Sequence, residues 1–92
     1  MRRDIPDNDH IVVKVTDLIR RSAKLLEPGE ELPPDQELLE MGVDSFGLLE
    51  LITNIELEFD IAIPDEMLTR ETFLSASSVT QAVRHILASA AA

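Results

Sequence analysis

The stretch that decides the fold runs from Leu39 to Glu66 and reads LEMGVDSFGLLELITNIELEFDIAIPDE. Between residues 46 and 59, apolar residues recur at spacings of one, three and four. On a helical wheel these residues share one stripe: Leu48, Leu51, Ile52, Ile55 and Phe59. Burying such a stripe is worth roughly 8 to 15 kcal/mol, as much as the net stability of a small domain. The pattern therefore predicts a helix with one face in a core.

The opposite side of this predicted helix also carries large apolar groups. Four residues spaced three or four apart lie together on this side, two of them apolar and one a carboxylate: Phe46, Glu50, Thr53 and Leu57. An exposed phenylalanine and leucine beside acidic groups indicate a surface that another protein binds. For either residue alone, packing of Phe46 on a loop or of Leu57 under a neighbouring segment is an equally good interpretation.

Ser45 stands where this helix is expected to begin. Gly42 can supply a turn with positive φ, and either Asp44 or Ser45 can cap the first free N–H groups. The serine hydroxyl would then be exposed at a helix N-terminus, whose partial positive charge favours a phosphate. For an arbitrary Asp-Ser before a helix, simple capping is the commoner role.

The motif around Ser45 has a specific family resemblance. The run GVDSF at residues 42–46 is followed by an acidic helix and then by EFDIAIPDE at residues 58–66. This combination resembles the acyl and peptidyl carrier proteins. In that family the serine after Gly-x-Asp carries a 4'-phosphopantetheine arm, derived from coenzyme A, whose thiol holds acyl or aminoacyl groups as thioesters. The resemblance implies that Ser45 is the attachment residue and that Asp44 helps a phosphopantetheinyl transferase to recognise it.

The apolar segments and the resemblance together predict an all-α fold. We expect a small four-helix bundle, with three main helices, a short third helix and a long loop between helices one and two. The chain of 92 residues has the size of one domain. A single carrier domain over residues 1–92 is expected, with an ordered core at about 9–88.

The first helix is expected to begin between Asp7 and Asp9 and to run to about Leu26. A long loop from Glu27 to Glu40 follows, with a turn of helix over residues 35–41. Three side chains are expected to attach this loop to the core: Leu32, Leu38 and Leu39.

After the central helix, Ile61 and Ile63 are expected in an extended connection, with both side chains in the core, because one strand has no partner. A short helix is expected from Pro64 to about Leu68 or Thr69.

The last helix is expected to close the core. Its N-terminus is predicted at Ser78, which forms a capping-box pair with Gln81. Phe73 and Leu74, just before it, are expected to fill the end of the bundle.

Composition narrows the possible functions. There is no cysteine, so disulfides and thiolate metal sites are not available. The N-terminal acids lack the calcium-loop pattern, so no metal ligand is predicted. Nothing resembles a signal peptide or a membrane span, so a cytoplasmic protein without membrane contact is expected.

The net charge of −10 is unevenly distributed. Between Lys24 and Arg70 there is no Lys or Arg, whereas 13 of the 18 acidic residues lie there. Such a surface repels a nucleic acid backbone, which makes nucleic acid the least expected partner. Basic protein surfaces are favoured instead, since opposite charge speeds their encounter. Solubility alone would explain much of the total charge, but not a run of 45 residues without a base.

An enzymatic function is not supported. Ser45, His85 and Asp44 are the only candidate triad, and no glycine stands two positions before the serine as the Gly-x-Ser-x-Gly elbow requires. No catalytic residue is therefore predicted. The alternative from another class is a small acidic helical adaptor that binds a partner through the exposed side of the central helix without being modified.

The resemblance also implies which partners the chain has. Besides the transferase, these are acyl-loading and acyl-transfer enzymes with basic docking surfaces, which bind a monomeric carrier. The predicted partner-binding residues lie on the central helix: Phe46, Leu49, Glu50, Thr53, Glu56 and Leu57. The chain has Gly47 and Leu57 where fatty acid carriers have further acids. This departure favours a more apolar interface in a specialised pathway over docking to fatty acid synthase enzymes. The interval from Pro64 to Val79 is longer than in fatty acid carriers and is more similar to free-standing carriers of polyketide and peptide assembly. Polyketide or nonribosomal peptide biosynthesis is therefore expected, with fatty acid synthesis as the alternative.

Overall fold

The computed structural model describes residues 7–91 of the chain, and it describes side chains for residues 10–90. It contains three α-helices: α1 (Asp7–Ser22), α2 (Ser45–Phe59) and α3 (Ala76–Ala91). Two 3-10 turns lie in the connections: Leu38–Met41 and Asp65–Met67. The predicted all-α fold is confirmed, with one difference. The short third helix is a 3-10 turn of three residues.

Within residues 7–91 there is no β-strand, although an isolated antiparallel bridge joins Glu37 to Ser75. The prediction of one domain over 1–92 also covers residues 1–6 and 92, which lie outside the described residues.

The core is built from pairs of side chains four residues apart. The helix α1 packs against both α2 and α3. The largest fully buried side chains come as one pair from each helix: Val15 and Ile19, Leu51 and Ile55, Val79 and Val83. Residues at this spacing lie on the same side of a helix, so each helix presents one ridge to its neighbours. The rest of the predicted α2 stripe is half-buried and packs against this core: Leu48, Ile52 and Phe59.

The helix α1 ends at Ser22, and the predicted end at Leu26 is wrong. The Leu25 N–H donates to the Met41 carbonyl at 3.0 Å, whereas in a continued helix it would donate to the Arg21 carbonyl. This bond attaches the turn before α2 to the end of α1. Gly42 has a φ of 91°, as predicted, and a Cβ at this position would lie 2.7 Å from the Leu25 nitrogen. Only glycine allows the two backbones to approach so closely.

The long loop is attached to the core at two of the three predicted residues. Leu32 and Leu38 are buried, but Leu39 is 69% exposed. The predicted helical turn is present as the 3-10 turn Leu38–Met41. In a 3-10 turn, side chains three residues apart eclipse each other, so Leu38 and Met41 both point inward and Leu39 points out. The loop is also joined to the residues before α3, because the Leu38 N–H donates to the Leu74 carbonyl at 2.8 Å.

The connection after α2 is extended, as predicted. Ile63 is buried, and Ile61 is half-buried against the core. Asp60 ends α2 with a φ of 53°, and the Ile61 N–H donates back to the Glu56 carbonyl at 3.1 Å. Left-handed C-caps of this kind satisfy the last carbonyls of a helix.

The helix α3 begins at Ala76, earlier than predicted. The capping pair is formed by Ser75 and Ser78, not by Ser78 and Gln81. The Ser78 N–H donates to the Ser75 hydroxyl at 3.2 Å, and the Ser75 N–H donates to the Ser78 hydroxyl at 3.0 Å. Just before this cap, Phe73 is buried, but Leu74 is 42% exposed, so Phe73 alone fills the end of the bundle.

Candidate functional site

The candidate site is the N-terminus of α2, where Asp44 is the capping residue. One carboxylate oxygen of Asp44 accepts the Gly47 N–H at 2.8 Å, and the other accepts a hydrogen bond from Lys24 Nζ at 3.1 Å. The Gly47 N–H, followed by Lys24, holds the pKa of Asp44 below its ordinary value of 3.8. The cap is therefore ionised at neutral pH. Of the two capping residues considered from the sequence, the structure selects Asp44.

Ser45 is the first residue of α2 and is exposed. Because Asp44 caps the helix, the Ser45 hydroxyl is not needed for that role, and it forms no hydrogen bond within the described residues. The first N–H groups of α2 also lie at this end of the helix, where they favour a negatively charged group. The structure therefore presents a reachable hydroxyl in a place suited to a phosphate.

A shallow cavity of about 180 Å³ lies beside Ser45. Most of its wall is apolar, with Val43 and Leu48 on the side of α2 and Phe73 and Leu74 on the other. Arg70 contributes the only cationic side chain among its lining residues. The remaining lining residues are Glu37, Leu38, Leu39 and Asp44. The cavity combines one positive charge with an apolar surface next to the candidate hydroxyl.

Two cations that the sequence analysis did not assign to the site therefore lie near Ser45. Lys24 is bound to Asp44, and Arg70 lines the cavity. These two residues also stand at the two ends of the run without Lys or Arg. That run is the feature of the sequence that could have pointed to them. The run by itself predicts only an acidic surface, because the pattern of charges does not show that its two ends meet in space.

Gly47 has a different role from the one the resemblance implied. It is buried where α2 crosses the end of α1, and a Cβ there would lie 3.2 Å from the Ser22 Cβ and 3.4 Å from an Asp44 carboxylate oxygen. The position faces a neighbouring helix. The lack of an acid at Gly47 is therefore explained by helix packing, and of the two departures from fatty acid carriers only Leu57 lies on the surface.

The predicted partner-binding residues form an exposed patch on α2, with one exception. The three apolar members are among the most exposed large side chains: Phe46 at 81%, Leu49 at 63% and Leu57 at 76%. Glu50 and Thr53 are exposed beside them, and four of these residues line a shallow groove with Asn54: Phe46, Leu49, Glu50 and Thr53. The alternative that Phe46 packs on a loop or Leu57 under a neighbouring segment is wrong.

The exception is Glu56, which is half-buried. One of its carboxylate oxygens accepts the Ile63 N–H at 2.8 Å, so the side chain fixes the connection after α2. The neighbouring acid Glu58 is paired with Lys14 of α1 at 3.1 Å. The acids near the C-terminal end of α2 are thus in contact with the rest of the protein, whereas Glu50 is exposed.

The structure does not assemble the candidate triad. His85 lies on α3 and lines a cavity with Pro64 and Met67, whereas Ser45 and Asp44 line a different cavity, the one described above. Residues 7–91 include no helix with the length and apolar character that a membrane span requires. Clusters of acidic and histidine side chains able to hold a metal ion are likewise absent from that part of the chain.

A family model described as "Phosphopantetheine attachment site" matches residues 13–86. The chain belongs to this family of carrier proteins. The resemblance stated from the GVDSF motif is thereby confirmed, and members of the family carry a covalently attached 4'-phosphopantetheine. The matched region includes Ser45 and both of the cations beside it.

Two curated relatives of this carrier protein are named for their cargo. It is 29% identical over 73 residues to an aminoacyl carrier protein of Agrobacterium fabrum, with 79% of this chain and 88% of the relative covered. It is 30% identical over 59 residues to aminoacyl carrier protein 2 of Bradyrhizobium diazoefficiens, with 64% and 66% covered.

The carrier protein also resembles a chain in a solved complex. The complex is an engineered Bradyrhizobium japonicum glycine:[carrier protein] ligase with a carrier protein from Agrobacterium tumefaciens and ATP. The TM-score is 0.74 at 27% identity, and the alignment covers 84% of this chain and 100% of the other.

Proposed function

We propose that Ser45 is the attachment residue of this carrier protein and that its cargo is an amino acid, held as a thioester. The observation that carries the assignment is the division of roles at the start of α2. Asp44 caps the helix and leaves the neighbouring Ser45 hydroxyl exposed. The hydroxyl oxygen would attack the phosphorus atom of coenzyme A that carries the pantetheine group and lose its proton. The pyrophosphate bond would break, the serine would be left with a phosphodiester, and adenosine 3',5'-bisphosphate would be the leaving group. The attached arm supplies the terminal thiol on which the cargo is held.

The residues around Ser45 fit a phosphodiester in this position. The first N–H groups of α2 favour negative charge, and Lys24 offsets the charge of Asp44. The ionised Asp44 keeps the N-terminus of α2 ordered, so that a transferase meets the serine in one fixed geometry. The protein thus presents the group and leaves the chemistry of loading to other enzymes.

The choice of an aminoacyl cargo is supported by the relatives. Both curated relatives are named aminoacyl carrier proteins. The aligned chain in the glycine:[carrier protein] ligase complex has the size of a carrier, because this chain covers all of it. We therefore propose that a ligase that uses ATP loads this protein with a small amino acid.

The exposed side of α2 is the proposed docking surface for that ligase. It combines Phe46, Leu49 and Leu57 with the acid Glu50, and no base stands between Lys24 and Arg70 to reduce the negative field. A matching partner has an apolar pocket surrounded by Lys or Arg side chains. Such a surface would guide the encounter, and its effect would weaken as salt concentration rises.

The remaining expectations stay predictions. They are a role in polyketide or nonribosomal peptide biosynthesis, with fatty acid synthesis as the alternative, a monomeric state, a cytoplasmic location and the lack of a catalytic activity of its own. The aminoacyl cargo is compatible with peptide biosynthesis, since that chemistry consumes activated amino acids.

Mass spectrometry of the intact protein tests the attachment. After incubation with coenzyme A and a phosphopantetheinyl transferase, the wild-type protein should gain the mass of one 4'-phosphopantetheine group. Ser45→Ala should gain nothing, whereas Ser89→Ala, which removes another exposed serine, should be modified like the wild type. An unmodified wild-type protein would favour the adaptor hypothesis.

A second experiment identifies the cargo. The modified protein is incubated with an aminoacyl:[carrier protein] ligase, ATP and single amino acids, and the thioester is detected as a further mass increase. We expect loading by a small amino acid such as glycine and no loading of Ser45→Ala. Loading by an acyl group, with no amino acid accepted, would overturn the aminoacyl assignment and leave the attachment site intact.

A further inference from the structure

We propose that the cavity beside Ser45 is a resting site for the first part of the arm, in which Arg70 pairs with the phosphodiester and the apolar wall contacts the branched alkyl group that follows it. The inference rests on the proposed attachment at Ser45. The arm begins with a singly charged phosphodiester and continues with a carbon that bears two methyl groups. The cavity offers a cation and an apolar surface in the same place, next to the attachment atom.

Arg70 is the cation available to the phosphodiester. Among the described residues it has no carboxylate within 4.0 Å, although the cavity is also lined by Glu37 and Asp44. Asp44 is already paired with Lys24 at 3.1 Å. A guanidinium group suits this role, because it can donate two parallel hydrogen bonds to two phosphate oxygens.

The backbone that carries Arg70 is a stable turn. The Thr72 N–H donates to the Thr69 hydroxyl at 3.2 Å, and the Phe73 N–H donates to the Thr69 carbonyl at 3.3 Å. The opposite wall is attached to the same segment, since the Leu38 N–H donates to the Leu74 carbonyl at 2.8 Å. The cavity therefore exists before the arm is attached, and little order has to be created when it is filled.

The apolar wall explains two exposed leucines. Leu39 is 69% exposed and Leu74 is 42% exposed, although the sequence pattern placed both in the core. Both line the cavity with Val43, Leu48 and Phe73. Contact with the methyl groups of the arm would remove part of this apolar surface from water, which favours the bound position.

The experiment uses the modified protein, uniformly labelled with ¹³C and ¹⁵N, with an unlabelled arm. Isotope-filtered NOE spectra then show contacts between the arm's two methyl groups and protein side chains. In the wild type we expect NOEs to Leu39 or Leu74 and to Leu48 or Phe73. Arg70→Gln should reduce their intensity at least threefold, and Arg70→Lys should restore part of it because it keeps the charge.

The matched control is Arg21→Gln, which makes the same change of charge at an exposed residue of α1 that does not line the cavity. Its NOEs should equal those of the wild type. Amide spectra of each unmodified variant establish that it is folded. The inference is overturned if the wild type shows no NOEs to the cavity, or if Arg70→Gln and Arg21→Gln weaken them equally.

The outcome is distinguishable from a failure of the proposed function. A wild-type protein that does not gain the mass of the arm would refute attachment at Ser45. A protein that gains the mass but shows no contact between the arm and the cavity would refute the resting site alone.

Discussion

The two sides of α2 are both rich in large apolar residues, yet they have opposite environments. One side buries Leu51 and Ile55 completely, whereas the other leaves Leu49 and Leu57 at 63% and 76% exposed. The difference arises because Leu51 and Ile55 belong to the core that α2 shares with α1 and α3, whereas Leu49 and Leu57 lie outside it. In so small a bundle, apolar character alone does not decide whether a side chain is buried. One face of a helix can stabilise the fold while the other face remains available to a partner.

The largest expected effect comes from truncating one leucine on each side of α2. Leu51→Ala leaves a cavity among fully buried side chains and should lower the free energy of unfolding by about 2 to 5 kcal/mol. Leu49→Ala removes the same atoms from an exposed position and should change it by less than about 0.5 kcal/mol. Urea denaturation measures both. Equal losses in the two variants would show that the exposed side is also part of the core.

A smaller effect is expected on docking from Leu57→Glu. The variant places a charge in an exposed apolar patch, so stability and attachment of the arm should be unchanged. The loading rate by the cognate ligase should fall by about tenfold, the size expected when a contact worth about 1.4 kcal/mol is lost. Steady-state loading kinetics on the modified protein measure it. An unaltered rate would remove Leu57 from the docking surface.

Two acids of α2 give a still smaller difference in stability. Glu56→Gln weakens the hydrogen bond from the Ile63 N–H and should cost about 1 kcal/mol in the free energy of unfolding. Glu50→Gln, at an exposed position, should leave stability unchanged and reduce the salt dependence of loading. If Glu56→Gln is neutral for stability but slows loading, Glu56 belongs to the docking surface as the family resemblance implied.

The smallest effect concerns the charge of the cap at Asp44. Its pKa is lowered, so its charge stabilises the fold above the ordinary pKa of 3.8, and this contribution is lost as the pH falls through the folded-state value. Asn also caps helices, so Asp44→Asn removes the charge and keeps the capping geometry. The urea midpoint of Asp44→Asn should be below that of the wild type at pH 7, and the two should converge in acid. If the difference between the two urea midpoints does not change with pH, the charge of Asp44 is not the source of the stabilisation.

Local patterns in the sequence were enough to predict the α2 helix, the positive φ of Gly42 and the helical turn before it. Each depends on residues close together in the chain. The attachment motif is also continuous, running from Gly42 to Phe46, so the resemblance could assign a role to Ser45 before any packing was known.

The errors have a common physical origin in contacts between distant residues. The end of α1 was misplaced because the Leu25 N–H bonds to Met41, and the start of α3 because Ser78 pairs with Ser75 instead of continuing to Gln81. A leucine reads as a core residue wherever it stands, so the exposure of Leu39 could not be predicted from the pattern.

The sequence by itself determined that this protein is small, acidic and helical, because helix periodicity depends on neighbouring residues and net charge depends on composition. Its continuous serine motif carried the resemblance to the carrier proteins. Only the tertiary structure decided what surrounds that serine. Lys24 and Arg70 lie 46 positions apart in the chain, and the packing of α1, the loop and the turn before α3 brings both to the N-terminus of α2. Their proximity depends on how the helices pack, which the order of residues does not display.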